Sequence, residues 1–240
     1  MTELLYQKDS YLKDFDANIV KVDRDNCALL LDKTAFFPGG GGQPYDTGVI
    51  QINNEGLNIS RVKKSPDGIW HFYDDGMNEI HEGMSIHGTV DWERRYKTMR
   101  THTAMHILCG VIFRDYGALV TGGDMEPLKG RMDFEFETMT ADLVKVIEES
   151  VNKEVNAGHD VKVAILPREE AFKIPDLIRT KINLLPSEIK EIRTIEIVGL
   201  DLQADGGTHV GNTREVGTMR ITDYKSKGKI NKRIYIELAE

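Results

Sequence analysis

The chain has 240 residues, is 40% hydrophobic and 29% charged, and carries a formal net charge of −8, the profile of an ordinary globular protein with one large or two modest cores. No apolar run approaches the roughly 20 residues needed to cross a bilayer, and the N-terminus lacks the basic and apolar regions of a secretory signal. Cys27 and Cys109 cannot make a disulfide framework, so no membrane association and a cytoplasmic location are expected.

Residues 1–90 read as strand-rich. Short β-prone runs at 18–22, 28–31, 47–52, 69–73 and 85–90 are divided by turn signals at Asp23-Arg24-Asp25-Asn26, Asn53-Asn54-Glu55-Gly56, Ser65-Pro66-Asp67-Gly68 and Asp74-Asp75-Gly76. This spacing predicts a small antiparallel β-barrel or sandwich. Within it, residues 34–43 (TAFFPGGGGQ) place four glycines between aromatics and an amide. The segment is no phosphate loop, because the G-K-[ST] ending is missing. A flexible linker is the usual reading of such a run, but Phe36, Phe37 and Pro38 beside it favour a fixed wall against which something docks.

Residues 91–240 change character and predict an α+β domain, a sheet with helices, packed beside the barrel. A helix is expected over 99–113, with Met105, Leu108 and Ile112 as its apolar stripe. A second helix is expected over 141–156, with Thr140 as N-cap, Leu143, Val144, Ile147, Val151 and Val155 buried, and Gly158 as its stop. A strand at 161–166, a short helical stretch at 168–173 and strands at 194–198, 218–222 and 233–238 complete the pattern.

His102 and His106 stand four apart on the first predicted helix, so both imidazoles leave one face about a turn apart and could share a metal. Two hydrogen-bonded helix histidines would give the same spacing. Asp205 and His209 are also four apart, across Gly206 and Gly207, where the alternative is a tight turn beside a surface histidine. No Glu follows His102 directly, so this is not the metalloprotease H-E-x-x-H arrangement. Three histidine ligands would leave a fourth position for water or substrate, as in catalytic zinc sites. His71, His81, His87 and His159 read as surface residues without partners, and Cys109 as a small buried hydrophobe.

The negative total charge argues against a nucleic-acid partner, but its distribution does not. Arg214, Arg220, Lys225, Lys227, Lys229, Lys232 and Arg233 crowd the tail against Glu215 and Asp223, and Arg94, Arg95, Lys97 and Arg100 precede the histidine pair. Solvated faces account for both clusters as readily as phosphate contacts do.

Four stretches, 34–48, 92–106, 131–134 and 201–217, together resemble the stand-alone alanyl-tRNA editing proteins of the AlaX type, which are similar to the editing domain of alanyl-tRNA synthetase. The resemblance runs over nearly the whole chain and is to the mid-sized form. It implies a trans-editing hydrolase, an aminoacyl-tRNA deacylase, that removes serine, and glycine as a second substrate, from tRNA(Ala). It implies one Zn2+ per chain on His102, His106 and His209. Where the family commonly has a cysteine, this chain has Asp205. That carboxylate is either a fourth ligand or an outer hydrogen-bond acceptor, and the outer role is preferred because it leaves a position open. By their places in the motifs, Thr34 and Gln43 would recognise the serine hydroxyl, and Gly40, Gly41, Gly42 and Thr208 would line the substrate. Arg100, Lys227, Lys229, Lys232 and Arg233 would hold the acceptor stem. A zinc-dependent hydrolase of a small molecule, without tRNA, is the alternative.

Overall fold

The computed structural model describes residues 2–74, 80–182 and 185–240, and the chain divides into two units, Met1–Tyr96 and Lys97–Glu240. The turn expected at Asp74-Asp75-Gly76 runs into residues outside the described ones.

Alternation of apolar and polar side chains gives strands of the first unit such as Asp14–Asp23 and Ser85–Val90 an inward face, whereas Ala28–Leu31 is buried throughout. Its strands are β1 (Glu3–Leu4), β2 (Asp14–Asp23), β3 (Ala28–Leu31), β4 (Lys33–Thr34), β5 (Gly48–Ile52), β6 (Glu55–Ser65), β7 (Gly68–Tyr73) and β8 (Ser85–Val90). Six of them close an antiparallel barrel in the order β2-β3-β7-β6-β5-β8, and β1 pairs with β4 in parallel. Ile19, Leu29, Leu31, Ile50, Ile59 and Val62 fill the barrel. Strand β6 is absent from the sequence expectations for a physical reason. A register shift between Ile59 and Arg61 breaks the period of two, so its inward residues fall at 57, 59 and 62.

The second unit continues from α1 (Trp92–Tyr116) through β9 (Val120–Glu126), β10 (Lys129–Glu135), α2 (Ala141–Ala157), β11 (Val161–Pro167), α3 (Arg168–Ala171), β12 (Glu191–Ile197), β13 (Asp201–Ala204), β14 (Met219–Ser226) and β15 (Asn231–Leu238). Sheet order is β14-β15-β10-β9 in one sheet and β11-β12-β13 in the other, so the architecture is α+β. Helix α2 follows its sequence signals. Thr140 Oγ1 accepts the Leu143 N–H at 3.2 Å, the stripe Val144, Ile147, Val151 and Val155 is buried, and Gly158 closes the helix at φ 76°.

Helix α1 is longer than expected, because Asp91 caps it by accepting the Arg94 N–H at 3.1 Å. Every residue from 101 to 112 is buried. Buried Thr101, His102, Thr103 and His106 interrupt the helix's apolar positions, so its hydrophobic period is faint. No helix among the described residues is long and apolar enough to cross a membrane.

Candidate metal centre

Two elements of the second unit supply the polar groups of the site. The buried part of α1 contributes His102, Thr103 and His106, and β13 with the turn after it contributes Asp201, Gln203, Asp205 and His209. Helix spacing puts residues 102 and 106 on one face, and strand spacing points residues 201, 203 and 205 in one direction. The result is a tight cluster in which one ligand atom from each of His102, His106, Asp205 and His209 lies within 4.8 Å of every other. The rings of His102 and His209 stack at 4.1 Å, and His106 meets each of them edge-on at 5.1 and 4.7 Å. Asp205 Oδ1 lies 2.7 Å from His209 Nε2 and 3.8 Å from His102 Nε2.

Each ring is held from its outer side. Thr103 Oγ1 sits 3.2 Å from His209 Nδ1 and accepts the Val210 N–H. The Thr208 backbone hydrogen-bonds His102. Asp201 Oδ2 lies 3.3 Å from His106 Nδ1, with Gln203 Nε2 at 3.5 Å. Asp205 is itself anchored by the Gly207 N–H at 3.1 Å.

Burial fixes the charge states. It pushes His102 down to about 4, and burial with the field of His102 pushes His209 well below its ordinary value. Burial also opposes charge on His106, but the Asp201 hydrogen bond and Asp205 outweigh it and raise its pKa. Burial alone would raise the Asp205 carboxyl; the imidazoles of His102 and His209 instead hold it well below the usual carboxylate range. Neutral His102 and His209 beside the ionised Asp205 carboxylate, with His106 held against Asp201, form a donor set that suits a cation.

Family models match the chain in two places: tRNA synthetases class II (A) over residues 9–94, and the threonyl and alanyl tRNA synthetase second additional domain over 192–235, which carries Asp205 and His209. Alanyl-tRNA editing protein AlaX-M of Saccharolobus solfataricus is 41% identical over 239 residues, covering 98% of both chains. The chain belongs to the alanyl-tRNA editing protein family. A second AlaX-M, from Methanosarcina barkeri, is 36% identical over the full length of both chains. The alanine–tRNA ligase of Ignicoccus hospitalis is 38% identical over 92% of this chain and 24% of the ligase. Members of the editing family are deacylases, which makes this chain an enzyme of the hydrolase class.

In this editing protein the glycine-rich segment is a tight turn anchored at both sides. Gly40 and Gln43 exchange backbone hydrogen bonds at 3.0 and 2.9 Å. Gly41 and Gly42 between them have φ of 61° and 90°, the left-handed pair that a primed two-residue turn requires. Arg95, fully buried, is bonded to Asp46, Ser10 O and Ala35 O, while Asp46 accepts the Phe37 N–H at 2.6 Å. Gln43 is buried, and Thr34 is 0% exposed with its hydroxyl 3.0 Å from Phe36 N and 2.8 Å from His71 Nε2.

Most of the basic residues expected at phosphates have partners within the chain. Arg95 is an internal ion-pair partner rather than a phosphate contact. Arg100 donates to Val216 O at 3.0 Å and to Ala239 O, so it ties chain segments together. Lys232 is buried with its Nζ on Gly228 O and Lys229 O. Arg233 grips Asp133 with two bonds of 2.6 and 2.7 Å. Lys227 and Lys229 are exposed between β14 and β15.

Nor is His71 a surface residue: it is fully buried on the barrel face of β7, and the alternation with Ile69 and Tyr73 already pointed inward. His87 and His159 have carboxylate partners at 2.8 Å, Asp16 and Glu154, and His81 Nδ1 lies 3.3 Å from Glu82 O. Asp201 and Gln203 went unnoticed as site residues, although their period-two spacing with Asp205 was legible.

Proposed function

We propose that the chain hydrolyses the ester of tRNA(Ala) mischarged with serine, and with glycine as a second substrate, at a zinc ion held by His102, His106, His209 and Asp205. The observation that carries this reading is the convergence of those four ligand atoms to within 4.8 Å, in a chain similar along its length to alanyl-tRNA editing proteins. Nitrogen and oxygen donors in a four-membered set suit zinc. Asp205 is assigned as a ligand rather than an outer acceptor, because its Oδ1 faces the Nε2 atoms of His102 and His209. Bound zinc would supply a Lewis acid and lower the pKa of a coordinated water.

The residues themselves bind and select. A pocket for alanine cannot exclude glycine by size and rejects one added hydroxyl weakly, so a second site must recognise the hydroxyl. Thr34 and Gln43 are assigned to that task, with Gly40, Gly41, Gly42 and Thr208 along the aminoacyl end. With the His71 Nδ1–H donating to Leu29 O at 3.2 Å, its Nε2 accepts the Thr34 hydroxyl proton. The Thr34 oxygen also accepts the Phe36 N–H, and one lone pair is left for serine. A substrate that leaves such a buried group unpaired loses about 1–3 kcal/mol. Lys227 and Lys229 are the phosphate contacts that keep exposed charge. A cytoplasmic site of action fits this substrate.

The test is deacylation of Ser-tRNA(Ala) against Ala-tRNA(Ala) by the wild type and His106→Ala. Fast turnover of the seryl ester alone, abolished by the variant, is expected. Equal or absent turnover of the two esters would reject the assignment and leave a small-molecule hydrolase as its replacement.

A further inference from the structure

Asp201 touches no atom of the metal-ligand cluster's inner side, yet its surroundings are built around it. It is 4% exposed. Its Oδ2 lies 3.3 Å from His106 Nδ1 and accepts the Gln203 amide at 2.6 Å, while its Oδ1 accepts the Arg179 Nε–H at 3.3 Å. Arg179 is fixed in turn: its guanidinium lies 3.8 Å over the Phe113 ring, and its backbone carbonyl accepts the Val120 N–H at 3.0 Å. The approach of helix to strand depends on Gly110. A Cβ there would meet Asp201 Cβ and Leu200 Cγ at 3.0 Å, so glycine at 110 lets α1 lie close against the start of β13, and a side chain would need those neighbours to give by a few tenths of an ångström.

We infer that Asp201, backed by Arg179, is a positioning residue of the editing reaction: it accepts a hydrogen bond from the Nδ1–H of His106, holding the proton on that nitrogen, and thereby leaves Nε2 unprotonated for the cluster with His102, Asp205 and His209. A neutral imidazole carries one N–H, and the partner of one nitrogen decides which nitrogen can bind a metal. Asp201 is the only carboxylate that the described contacts place on Nδ1 of His106. This inference rests on the metal reading of the cluster given above.

The experiment titrates cobalt(II), which takes zinc's ligands and has visible absorption, into the purified full chain. Asp201→Asn keeps the shape and removes the charge, but it also takes from Arg179 the nearer of its two carboxylates, leaving Asp176 at 4.0 Å, and weakening a buried ion pair is destabilising. The double variant Asp201→Asn with Arg179→Met removes that complication. It is expected to keep the wild-type melting profile of the metal-free protein. Its cobalt affinity should fall about 10- to 100-fold, with kcat for the seryl ester falling more than KM rises. A folded double variant with wild-type cobalt affinity and spectrum would overturn the role of Asp201 while leaving the metal reading intact. A wild-type chain that takes up no cobalt or zinc would sink the metal reading, and this inference with it.

Discussion

Asp205 Oδ1 and His209 Nε2 lie 2.7 Å apart across the Gly206-Gly207 turn, so this carboxylate occupies the side of the ring from which a cation would be bound. Replacing Asp205 with Ala should therefore weaken zinc binding roughly 10- to 100-fold, the equivalent of one charge-assisted contact of about 1.5–3 kcal/mol. Asp205→Cys should bind at least as tightly as the wild type, since thiolate is the softer ligand. Competition titration with a chromophoric chelator reads both. Wild-type affinity in the Ala variant would put Asp205 outside the coordination shell.

A second prediction concerns pH and the first unit. Burial holds His71 down to about 4 from an ordinary 6.5, so the folded state resists a proton that the unfolded chain takes up. The stability due to neutral His71 is fully present above about pH 6.5 and is lost as pH falls toward about 4, to a total of about 3 kcal/mol. Both tryptophans, Trp70 and Trp92, lie in this unit, so their fluorescence in urea reports its unfolding rather than that of the unit holding His102, His106, His159 and His209. His71→Gln keeps polar contacts without titrating and should flatten the loss between those two pH values. An undiminished loss in that variant would show that another group carries the effect.

Chelation should separate function from fold. Neither the barrel cluster nor the cluster of Ala171, Leu177 and Ile192 contains any of the four ligands, so removing zinc should abolish deacylation while the far-ultraviolet circular dichroism is kept. Restored activity on adding zinc completes the test. Global unfolding on chelation would make the ion structural.

How much of this was legible in the sequence depended on whether the signal was local. Helix α2 was readable to within a residue because its cap, stripe and terminal glycine are neighbours in the chain. The ligand set was readable because two four-residue spacings and a Gly-Gly pair survive without coordinates. Strand β6 was hidden by its bulge, and the first turns of α1, before residue 99, by their mixture of buried, half-buried and exposed side chains. The basic tail has partners that the sequence could not show. Arg233 has its partner Asp133 directly across the β10–β15 pair, 100 positions away, and a charge count cannot see a neutralising group that distant. Asp201 was missed because it acts through His106.

Thr34 bears on selectivity. Thr34→Ser keeps the oxygen and should preserve the preference for the seryl ester. Thr34→Val removes it and leaves the Phe36 N–H and His71 Nε2 without their shared partner, at a cost of about 1–3 kcal/mol in stability. The ratio of kcat/KM for Ser-tRNA(Ala) to that for Ala-tRNA(Ala) should fall roughly tenfold in the Val variant, the equivalent of about 1.4 kcal/mol. An unchanged ratio would move hydroxyl recognition to Gln43 or elsewhere.

The basic residues near the C-terminus divide into two groups that salt can tell apart. Each phosphate contact adds about 0.7–0.9 to the slope of log affinity against log salt. Lys227 and Lys229 are exposed, so replacing both with Gln should weaken tRNA binding and lower that slope by up to about 2. Arg233 is spent on Asp133 and Lys232 on the carbonyls of Gly228 and Lys229. Arg233→Met should therefore leave the slope unchanged and cost about 1 kcal/mol of stability through the lost cross-strand pair. Binding isotherms at several salt concentrations, run beside thermal melts, measure both quantities. A lower slope for Arg233→Met at unaltered stability would return that residue to the tRNA surface.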